Sequence, residues 1–423
     1  MTAGLPAKAN VVVIGGGLLG LSTAHALAER GRDILLLEAR DGVGQEASFA
    51  NGAMLTPSMA DPWNAPGIWR HAVRSLFGGR SAIDVRWAAL PGAARWGLDF
   101  LRAATSDGYA RAIAANFALA RYSTGLTLEF ARARGFDLSA SGTMKVFSDG
   151  EALAAARSVT TGLADKGLAC RVLDRDGVIA VESRLADAAV SIAGGLYFPD
   201  DAIGDAHSFC RVLQGVLEAS SVARIFTGVG VKRIIADGGR AYAVETTQGR
   251  IEARDIVVAA GLASPGLTNP LGLRLSIGPV KGYSETIDLP EDVAPLRVGI
   301  IDEVRHTGIV PLGRRIRLVG TAEIAGHDPR IRPVGIARLR ASLAALLPAL
   351  ARQLDHAPAQ PWAGLRPVSS DGVPRIGPSR LAGLWVNTGH SHLGWTEAMG
   401  SGALLADMMT GARPAIDPSP YRP

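Results

Sequence analysis

Cysteine is nearly absent from this chain of 423 residues, which contains only Cys170 and Cys210. Two cysteines exclude a disulfide framework and suit a reducing compartment, so we expect the protein in the cytoplasm. No stretch reaches the roughly 18 consecutive apolar residues of a membrane-spanning helix. The apolar run near the N-terminus passes at once into a glycine-rich turn, so we do not expect a signal peptide.

Lysine is also scarce, since only five of the 44 basic residues are lysine and the rest are arginine. The arginines are scattered and the net charge is only +5, so nucleic-acid binding is not expected. What the chain does have is a hydrophobic content of 48% and 51 glycines, which occur in short clusters. This composition predicts two or three domains with substantial cores and many tight turns.

The first 40 residues contain a complete strand–turn–helix–strand pattern. Residues 11–14 are a β-branched run, residues 21–30 have a helical pattern, and residues 34–37 are a second apolar run. Between the first run and the helix lie Gly15, Gly17 and Gly20, at the spacing that lets a pyrophosphate approach the backbone. Glu38, directly after the second run, is suited to accept hydrogen bonds from a ribose diol, and its charge argues against NADP. The pattern predicts a dinucleotide site.

The next segment indicates which dinucleotide binds. Residues 42–52 (GVGQEASFANG) are rich in glycine, serine and asparagine, whereas NAD-dependent dehydrogenases usually continue with another plain strand–helix unit. Such a segment is typical of flavoproteins and favours FAD over NAD. A second strand, glycine-rich loop and helix are predicted at 384–387, 389–394 and 395–409. This helix either directs its positive N-terminal end toward the flavin or serves only as a cap on the sheet.

Several motifs distributed over nearly the whole chain resemble those of one enzyme superfamily. They are GGGLLG (15–20), EASFANGAMLTP (46–57), WNAPG (63–67), FPDDAIGDAHSF (198–209), GPVKGYSETI (278–287), TAEIAG (321–326), WAGLRPVSSDGVPRIG (362–377) and NTGHSHLGWT (387–396). The sequence resembles the FAD-dependent D-amino-acid oxidase superfamily, and within it most closely the bacterial D-amino-acid dehydrogenases.

The resemblance implies an α/β fold with two domains. Residues 1–88, 201–272 and 358–423 are expected to form a Rossmann-like FAD-binding domain. Residues 89–200 and 273–357 are expected to form a substrate-binding domain with a large antiparallel sheet.

The resemblance also implies a set of residues that hold the cofactor. Ser48, Asn51 and their neighbours are expected to line the flavin. Val229 is expected to hold the adenine through its backbone, and Ala260 is expected to lie next to the pyrophosphate. Neither cysteine lies in a flavin motif, so we expect non-covalent FAD. The expected FAD-binding residues are Gly15, Gly17, Leu18, Leu19, Gly20, Glu38, Ala39, Arg40, Ser48, Ala50, Asn51, Gly52, Val229, Ala260, Gly261, Gly364, Gly389, His390, Leu393, Gly394, Trp395 and Thr396.

The reaction that the resemblance implies is hydride removal from Cα of a D-amino acid to flavin N5, followed by hydrolysis of the imino acid to a 2-oxo acid and ammonia. Arg366, in GLRP, is expected to bind the substrate carboxylate in a bidentate manner, or else to form a structural ion pair. Tyr283 is expected to donate a second hydrogen bond to that carboxylate, or else only to pack. The other expected substrate-binding residues are His306, His392 and Met54.

Other functions stay open at this point. An amine or amino-acid oxidase of the glycine, sarcosine or D-proline/hydroxyproline type is expected to share the fold, and some of these enzymes use a lysine near the flavin for oxygen reduction. No lysine occurs between residues 282 and 423, which favours a dehydrogenase that passes electrons to a quinone or an electron-transfer protein. A non-catalytic flavoprotein subunit is the third possibility.

Residues 63–104 have an unusual composition, with four of the seven tryptophans and several arginines. A helical pattern at 68–77 puts apolar residues on one side and basic residues on the other. Because quinones reside in membranes, we predict peripheral contact of 63–104 with the inner face of the cytoplasmic membrane. The alternative is that the apolar side of this stretch packs under the substrate domain.

Overall fold

Two large β-sheets organise the molecule, and the computed structural model describes residues 4–70 and 83–423. The strands within these residues are β1 (Lys8–Ile14), β2 (Ile34–Leu37), β3 (Met54–Leu55), β4 (Asp84–Val85), β5 (Thr143–Phe147), β6 (Arg171–Leu173), β7 (Gly194–Phe198), β8 (Ala202–Ile203), β9 (Ala223–Phe226), β10 (Val231–Asp237), β11 (Arg240–Thr246), β12 (Gly249–Val258), β13 (Ile277–Asp288), β14 (Gly299–Asp302), β15 (Thr307–Leu312), β16 (Arg315–Ile324), β17 (Ala359–Ser369), β18 (Arg375–Pro378) and β19 (Leu384–Thr388).

Helices connect and cover these strands. Those assigned within the described residues are α1 (Leu18–Glu29), α2 (Leu90–Ala103), α3 (Ser106–Arg134), α4 (Gly150–Ala164), α5 (Arg175–Val181), α6 (Ala206–Glu218), α7 (Ser264–Thr268), α8 (Pro333–Leu346), α9 (Pro348–Gln353) and α10 (Ala398–Thr410).

The first sheet has a parallel core that carries the N-terminal glycine turn. Strands β9, β2, β1 and β12 lie side by side in parallel, and β19 pairs in parallel with the last residues of β12. Strands β10, β11 and the start of β12 are antiparallel to one another, as are β18 and β19. Residues 11–14 and 34–37 are all buried, as is typical of parallel strands that are covered on both faces.

Helices α1, α6 and α10 cover one face of this sheet. Leu27 of α1, Phe209 of α6 and Leu404 of α10 belong to one buried apolar cluster. A Cβ on Gly402 in α10 would lie 2.6 Å from the carbonyl oxygen of Ser22 in α1. The small residues of α10 therefore let two helices that are far apart in sequence pack closely under the glycine turn.

The second sheet is mostly antiparallel. Its strand order is β17-β13-β16-β15-β14-β5-β7-β6, with β4 beside β16. The β14–β5 and β16–β4 pairs are parallel. Helix α8 packs on this sheet, where Leu339 and Leu343 share a buried core with Ile287 and Leu318. The α/β class, with a Rossmann-like part and a large, mainly antiparallel sheet, is confirmed.

Some element boundaries differ from those that the sequence indicates. The domain boundaries stay a prediction, but β4 and β17, which they assign to the FAD-binding part, pair with the second sheet. Residues 333–351 have the pattern of one helix, yet α8 and α9 are separate, because Pro348 has no N–H and disfavours helical backbone at Leu347. The helix predicted at 395–409 begins only at Ala398.

The parts of the 63–104 stretch have different surroundings. Residues 71–82, which contain most of the predicted amphipathic helix, lie outside the described residues. Trp96 and Phe100 are buried against β13 and β17, in line with the packing alternative. Trp69 and Trp87 are 54% and 61% exposed. Among residues 4–70 and 83–423, no helix has both the length and the apolar character needed to cross a membrane.

Candidate active site

A cavity of about 980 Å³ lies between the two sheets. Ile14 and Leu37, at the ends of β1 and β2, form part of its wall. Lys145, Thr307 and Val319 of the second sheet also line it. Open α/β sheets bind ligands beyond the carboxyl ends of their parallel strands. The cavity therefore occupies the place where a dinucleotide is expected, and it continues to the second sheet.

The glycines between β1 and α1 shape one end of the cavity, which we call the cofactor end. Gly15 has a φ of 111°, and a Cβ there would lie 2.5 Å from the carbonyl oxygen of Ala259. A Cβ on Gly20 would lie 1.8 Å from the carbonyl oxygen of Gly15, so only glycine lets α1 start so close to β1. At Gly17 the nearest atom to such a Cβ is Oγ of Ser48, at 3.4 Å. This opening leaves room for phosphate at the N-terminus of α1.

Glu38 lies on the wall at the cofactor end. Its carboxylate accepts hydrogen bonds from the backbone N–H of Gly16 at 2.6 Å and of Arg40 at 2.7 Å. These bonds fix the carboxylate and leave lone pairs for ribose hydroxyls. Val229 lines the same region, and its N–H donates to the carbonyl oxygen of Glu38 at 2.8 Å. The carbonyl of Val229 is therefore the backbone group left to face an adenine.

The loop from residue 46 to residue 53 joins the cofactor end to the second sheet. Ser48 Oγ accepts a hydrogen bond from the N–H of Leu18 at 3.2 Å, at the start of α1. The carbonyl oxygen of Ala50 accepts one from Ser284 Oγ of β13 at 2.7 Å. Asn51 Oδ1 accepts one from the N–H of Ala53 at 3.0 Å. These bonds hold the loop between the two sheets.

His390 follows β19 and lines the same cavity. It is 2% exposed, and within the described part of the chain neither ring nitrogen has a hydrogen-bond partner. Burial lowers the pKa of His390 to about 3, so the imidazole is neutral at physiological pH. A buried imidazole is normally hydrogen-bonded, and a polar ligand in the cavity would supply the missing partner.

The predicted cofactor residues fit FAD in their geometry and donor set. The glycine turn leaves space for a pyrophosphate, Glu38 offers acceptors to a ribose, and His390 has unused polar atoms. The predicted cofactor residues on the cavity wall are Gly15, Gly17, Leu18, Leu19, Glu38, Ala39, Arg40, Ser48, Asn51, Gly52, Val229, Ala260, Gly261, Gly389, His390, Gly394 and Trp395.

Five predicted cofactor residues do not line this cavity. Gly20 packs against the turn, and Thr396 Oγ1 accepts a hydrogen bond from the N–H of Thr56 at 3.0 Å. Leu393 is buried, with its N–H bonded to the carbonyl oxygen of His390 at 2.9 Å. Ala50 and Gly364 line a separate small cavity of about 30 Å³. The structure gives these residues supporting positions behind the wall.

Arg366 of β17 lines the cavity at the other end, which we call the substrate end, and it also lines the neighbouring small cavity. One guanidinium N–H donates to the carbonyl oxygen of Thr321 at 3.2 Å, and the group lies 5.4 Å from the ring centre of Trp63. Burial lowers the pKa of Arg366 to about 10, which keeps the group cationic at neutral pH. No carboxylate among the described residues pairs with it, so the alternative of a structural ion pair has no partner there. A desolvated cation without a counter-ion is costly, and a carboxylate ligand would satisfy it.

Three of the other predicted substrate residues, His306, His392 and Met54, also line the cavity. The ring of His392 stacks on Trp63, with centres 5.2 Å apart and planes 9° apart, and its Nε2 donates to the carbonyl oxygen of Met59 at 3.0 Å. Burial lowers the pKa of His392. His392 and Trp63 therefore form a flat, neutral surface beside Arg366.

Tyr283 does not lie on the wall of the large cavity. Its hydroxyl donates to Glu323 at 2.6 Å, and Glu323 also pairs with Arg86 and, at 3.4 Å, with the fully buried Lys281. Burial and this bond raise the pKa of Tyr283. Burial opposes ionisation of Glu323, but the bonds from Tyr283 and Arg86 lower its pKa. The network satisfies the hydroxyl, which is why it is not directed to a substrate.

Sequence reasoning missed several residues of the substrate end. The cavity is also lined by Asp61, Trp63, Tyr109, Lys145 and Thr321. These residues come from separated segments of the chain, so their spacing in the sequence does not indicate a common site. The motif WNAPG (63–67), which is shared with the resembling family, was the available signal for Trp63. The lysine-free range 282–423 was too narrow a criterion, because β5 brings Lys145 to the wall.

Known proteins share this architecture and much of this sequence. The model of the FAD dependent oxidoreductase family matches residues 10–408. A D-amino acid dehydrogenase of Granulibacter bethesdensis is 38% identical, over 96% of this chain and 97% of its own. One from Cereibacter sphaeroides is also 38% identical, over 96% of this chain and 93% of its own.

Two solved structures share the fold at low sequence identity. Glycine oxidase from Geobacillus kaustophilus has a TM-score of 0.75 at 23% identity, over 99% of this chain and 98% of its own. L-proline dehydrogenase from P. horikoshii has a TM-score of 0.78 at 17% identity, over 99% of this chain and 97% of its own. These structures show the fold, and the family model and the full-length relatives confirm the resemblance that the motifs indicate: the chain belongs to the family of FAD-dependent oxidoreductases.

Proposed function

We propose that this protein is a dehydrogenase of D-amino acids, which it converts to 2-oxo acids and ammonia. The observation that carries the proposal is Arg366, a partly buried guanidinium without a carboxylate partner among the described residues, in the same cavity as the FAD-binding residues. The names of the curated relatives support D-amino acids as the substrate class.

In the proposed reaction, residues of the substrate end bind and orient the amino acid. Bound FAD supplies the acceptor for the hydride that leaves Cα. Arg366 binds the substrate carboxylate through parallel N–H groups, and the carbonyl of Thr321 and the ring of Trp63 hold the guanidinium in place. Holding the substrate at a fixed angle to the cofactor accounts for a large share of the rate enhancement. Water then hydrolyses the imino acid.

The substrate amine must be neutral when the hydride leaves. Burial keeps His390 and His392 neutral, so neither adds a positive charge beside the substrate amine. In the proposed mechanism the bound amine loses its proton in a rapid equilibrium before the hydride leaves. With its carboxylate held by Arg366, a substrate would present one hydrogen of Cα to bound FAD, and we assign that position to the D-enantiomer.

Anaerobic reduction of the bound flavin tests this function. The holoenzyme is mixed without oxygen with matched D- and L-amino acids, and the flavin absorbance near its visible maximum is followed. We expect bleaching with D-amino acids, with one 2-oxo acid and one ammonia formed per flavin reduced. Equal rates with L-enantiomers would contradict the stereochemical assignment, and no bleaching with any amino acid would favour a non-catalytic flavoprotein subunit.

We propose a quinone or an electron-transfer protein as the electron acceptor. An oxidase of the glycine, sarcosine or D-proline type is the second candidate, and the specific observation in its favour is Lys145 on the cavity wall. Reoxidation of the reduced enzyme by oxygen and by a soluble quinone analogue distinguishes the two. A dehydrogenase is reoxidised much faster by the quinone, whereas an oxidase consumes oxygen at its full turnover rate.

We also propose peripheral membrane contact through the 63–104 stretch. Its support is the exposure of Trp69 and Trp87 beside arginines such as Arg70, because exposed indoles and guanidinium groups favour an anionic interface. Sedimentation with anionic vesicles at low and high salt tests this contact. We expect binding at low salt that the pair W69A/W87A loses and the control V159A keeps. A protein that stays in the supernatant at low salt would contradict it.

A further inference from the structure

Asp61 is a carboxylate on the cavity wall that has no use in the mechanism above. It is partly buried, and it forms no hydrogen bond or ion pair with any residue in the described ranges 4–70 and 83–423. Three cavity-lining groups feel its charge. Burial and then Asp61 raise the pKa of Tyr109 to about 12, and Asp61 also acts to raise those of Lys145 and His392. Asp61 therefore faces the substrate end.

The charged groups that the structure describes around Asp61 do not compensate its charge. Lys145, on which the charge of Asp61 acts, already pairs with Glu303 at 2.8 Å, so this pair contributes no net charge. Arg366 and Asp61 form no ion pair within residues 4–70 and 83–423; the guanidinium lies over Trp63, whose ring also stacks on His392. Among the described residues, the cation Arg366 and the anion Asp61 thus have no charged partner at the substrate end, and both line the same cavity.

A flat surface connects these two charges. The ring of Trp63 lies next to the guanidinium of Arg366 and stacks on His392, and the charges of Asp61 and Arg366 both act on His392. Rings of this kind accommodate methylene groups by apolar contact. A molecule with a carboxylate at one end, an alkyl chain and a cation at the other end complements this arrangement.

We propose that the substrate end selects D-amino acids with a positively charged side chain, such as D-lysine, D-ornithine or D-arginine, and that Asp61 binds this charge. The inference rests on the proposed function, because it takes Arg366 as the partner of the α-carboxylate. Asp61 then determines specificity, and the residues that orient the reacting Cα are separate from it.

Steady-state kinetics of the holoenzyme test the proposal with matched substrates. D-Norleucine has the same four side-chain carbons as D-lysine but lacks the terminal ammonium. D-Glutamate carries a negative charge on its side chain. We expect kcat/KM to be highest for D-lysine, at least about tenfold lower for D-norleucine and lowest for D-glutamate, since a hydrogen-bonded charge pair contributes about 1.5–3 kcal/mol. A wild-type enzyme that prefers D-norleucine to D-lysine would overturn the proposal without any variant.

The variant D61N identifies the residue. We expect kcat/KM for D-lysine to fall roughly ten- to hundredfold, while that for D-norleucine stays within about twofold. The control D137N removes an exposed carboxylate outside the cavity wall, and it should leave both values unchanged. An equal loss for both substrates in D61N would place the carboxylate at the α-ammonium and overturn the proposal.

A binding measurement separates the side-chain charge from the α-amine. 6-Aminohexanoate has the carboxylate and terminal ammonium of lysine but no α-amine, and hexanoate lacks both amines. We expect 6-aminohexanoate to inhibit competitively at roughly tenfold lower concentration than hexanoate, and D61N to abolish the difference. Equal inhibition of the wild type by both would overturn the specificity proposal while the oxidation of D-norleucine still supports the dehydrogenase. If no D-amino acid reduces the flavin, the proposed function itself fails.

Discussion

The two ends of the cavity are built in different ways. At the cofactor end, backbone groups and glycines from one short strand–turn–helix–strand unit do most of the work, with Gly15, Gly20 and Glu38 within 24 residues of one another. At the substrate end, side chains do it, and Asp61, Lys145 and Arg366 come from three distant segments. A site built from glycines and backbone groups is lost when a glycine is replaced. A site built from side chains can change its specificity by substitution while the fold stays the same.

Replacing Gly20 with alanine should have the largest effect. The new Cβ would lie 1.8 Å from the carbonyl oxygen of Gly15, so the turn that faces the pyrophosphate cannot keep its shape. We expect G20A to be purified without bound flavin and without activity. Helix α3 offers a matched control, because a Cβ on Gly125 meets nothing within 4 Å. If G20A retains a full complement of flavin while G125A behaves like the wild type, the close packing described here is wrong.

Replacing Arg366 should affect the substrate end alone. Loss of a bidentate, charge-assisted contact costs about 3 kcal/mol, or roughly a hundredfold in kcat/KM. We expect R366A to keep its flavin and to lose this factor for all D-amino acids, and R366K to recover only part of it. Arg380, which is exposed, provides the control R380A. A loss below about fivefold in R366A would mean that another group binds the carboxylate.

Replacing Glu38 tests whether its carboxylate binds the ribose at the cofactor end. The variant E38A loses the acceptor for the ribose and leaves the N–H groups of Gly16 and Arg40 without their partner. We expect FAD to bind roughly ten- to hundredfold more weakly, measured as the flavin fluorescence released on dilution, with KM for D-amino acids unchanged at saturating FAD. The control E29A removes an exposed glutamate at the end of α1. Undiminished FAD affinity in E38A would refute the ribose assignment.

The smallest expected effect is on stability and concerns Glu397, just before α10. This side chain is fully buried, neither carboxylate oxygen has a hydrogen-bond partner within the described residues, and burial raises its pKa well above the usual 4.5. Above pH 4.5 the unfolded chain releases this proton while the folded chain keeps it, so ionisation favours unfolding more strongly as pH rises.

We therefore expect E397Q to gain in melting temperature relative to the wild type as the pH is raised from about 5 to 8. The exposed residue Glu291 offers the control E291Q, which should show no such trend. A difference between E397Q and the wild type that is independent of pH would mean that Glu397 is ionised in the folded protein.

The sequence was sufficient for the cofactor end because its requirements are local. A positive φ at Gly15 and the absence of a Cβ at Gly20 are conditions that only glycine meets, and their spacing is visible without a fold. The parallel core was predictable for the same reason, since residues 11–14 and 34–37 are uniformly apolar. Pro348 was a local signal for the end of helix α8, but the continuous apolar pattern over 333–351 concealed it.

The substrate end was only partly predictable because it depends on register and on long-range pairing. Tyr283 lies in a motif of the resembling family, yet the pairing of β13 with β16 brings its hydroxyl to Glu323. Trp63 lies in a stretch whose composition suggested a membrane surface, but its ring contacts both Arg366 and His392. Nothing in the local sequence of Asp61 or Lys145 indicates that both line one cavity.

We propose that one cavity holds FAD at one end and a D-amino acid, bound by Arg366, at the other. A crystal structure of the holoenzyme soaked without oxygen in a D-amino acid tests it directly. We expect the two carboxylate oxygens about 3 Å from the guanidinium nitrogens of Arg366, with Cα facing the flavin. A substrate bound with its carboxylate elsewhere, while Arg366 contacts only the carbonyl of Thr321, would show that Arg366 does not bind the substrate carboxylate.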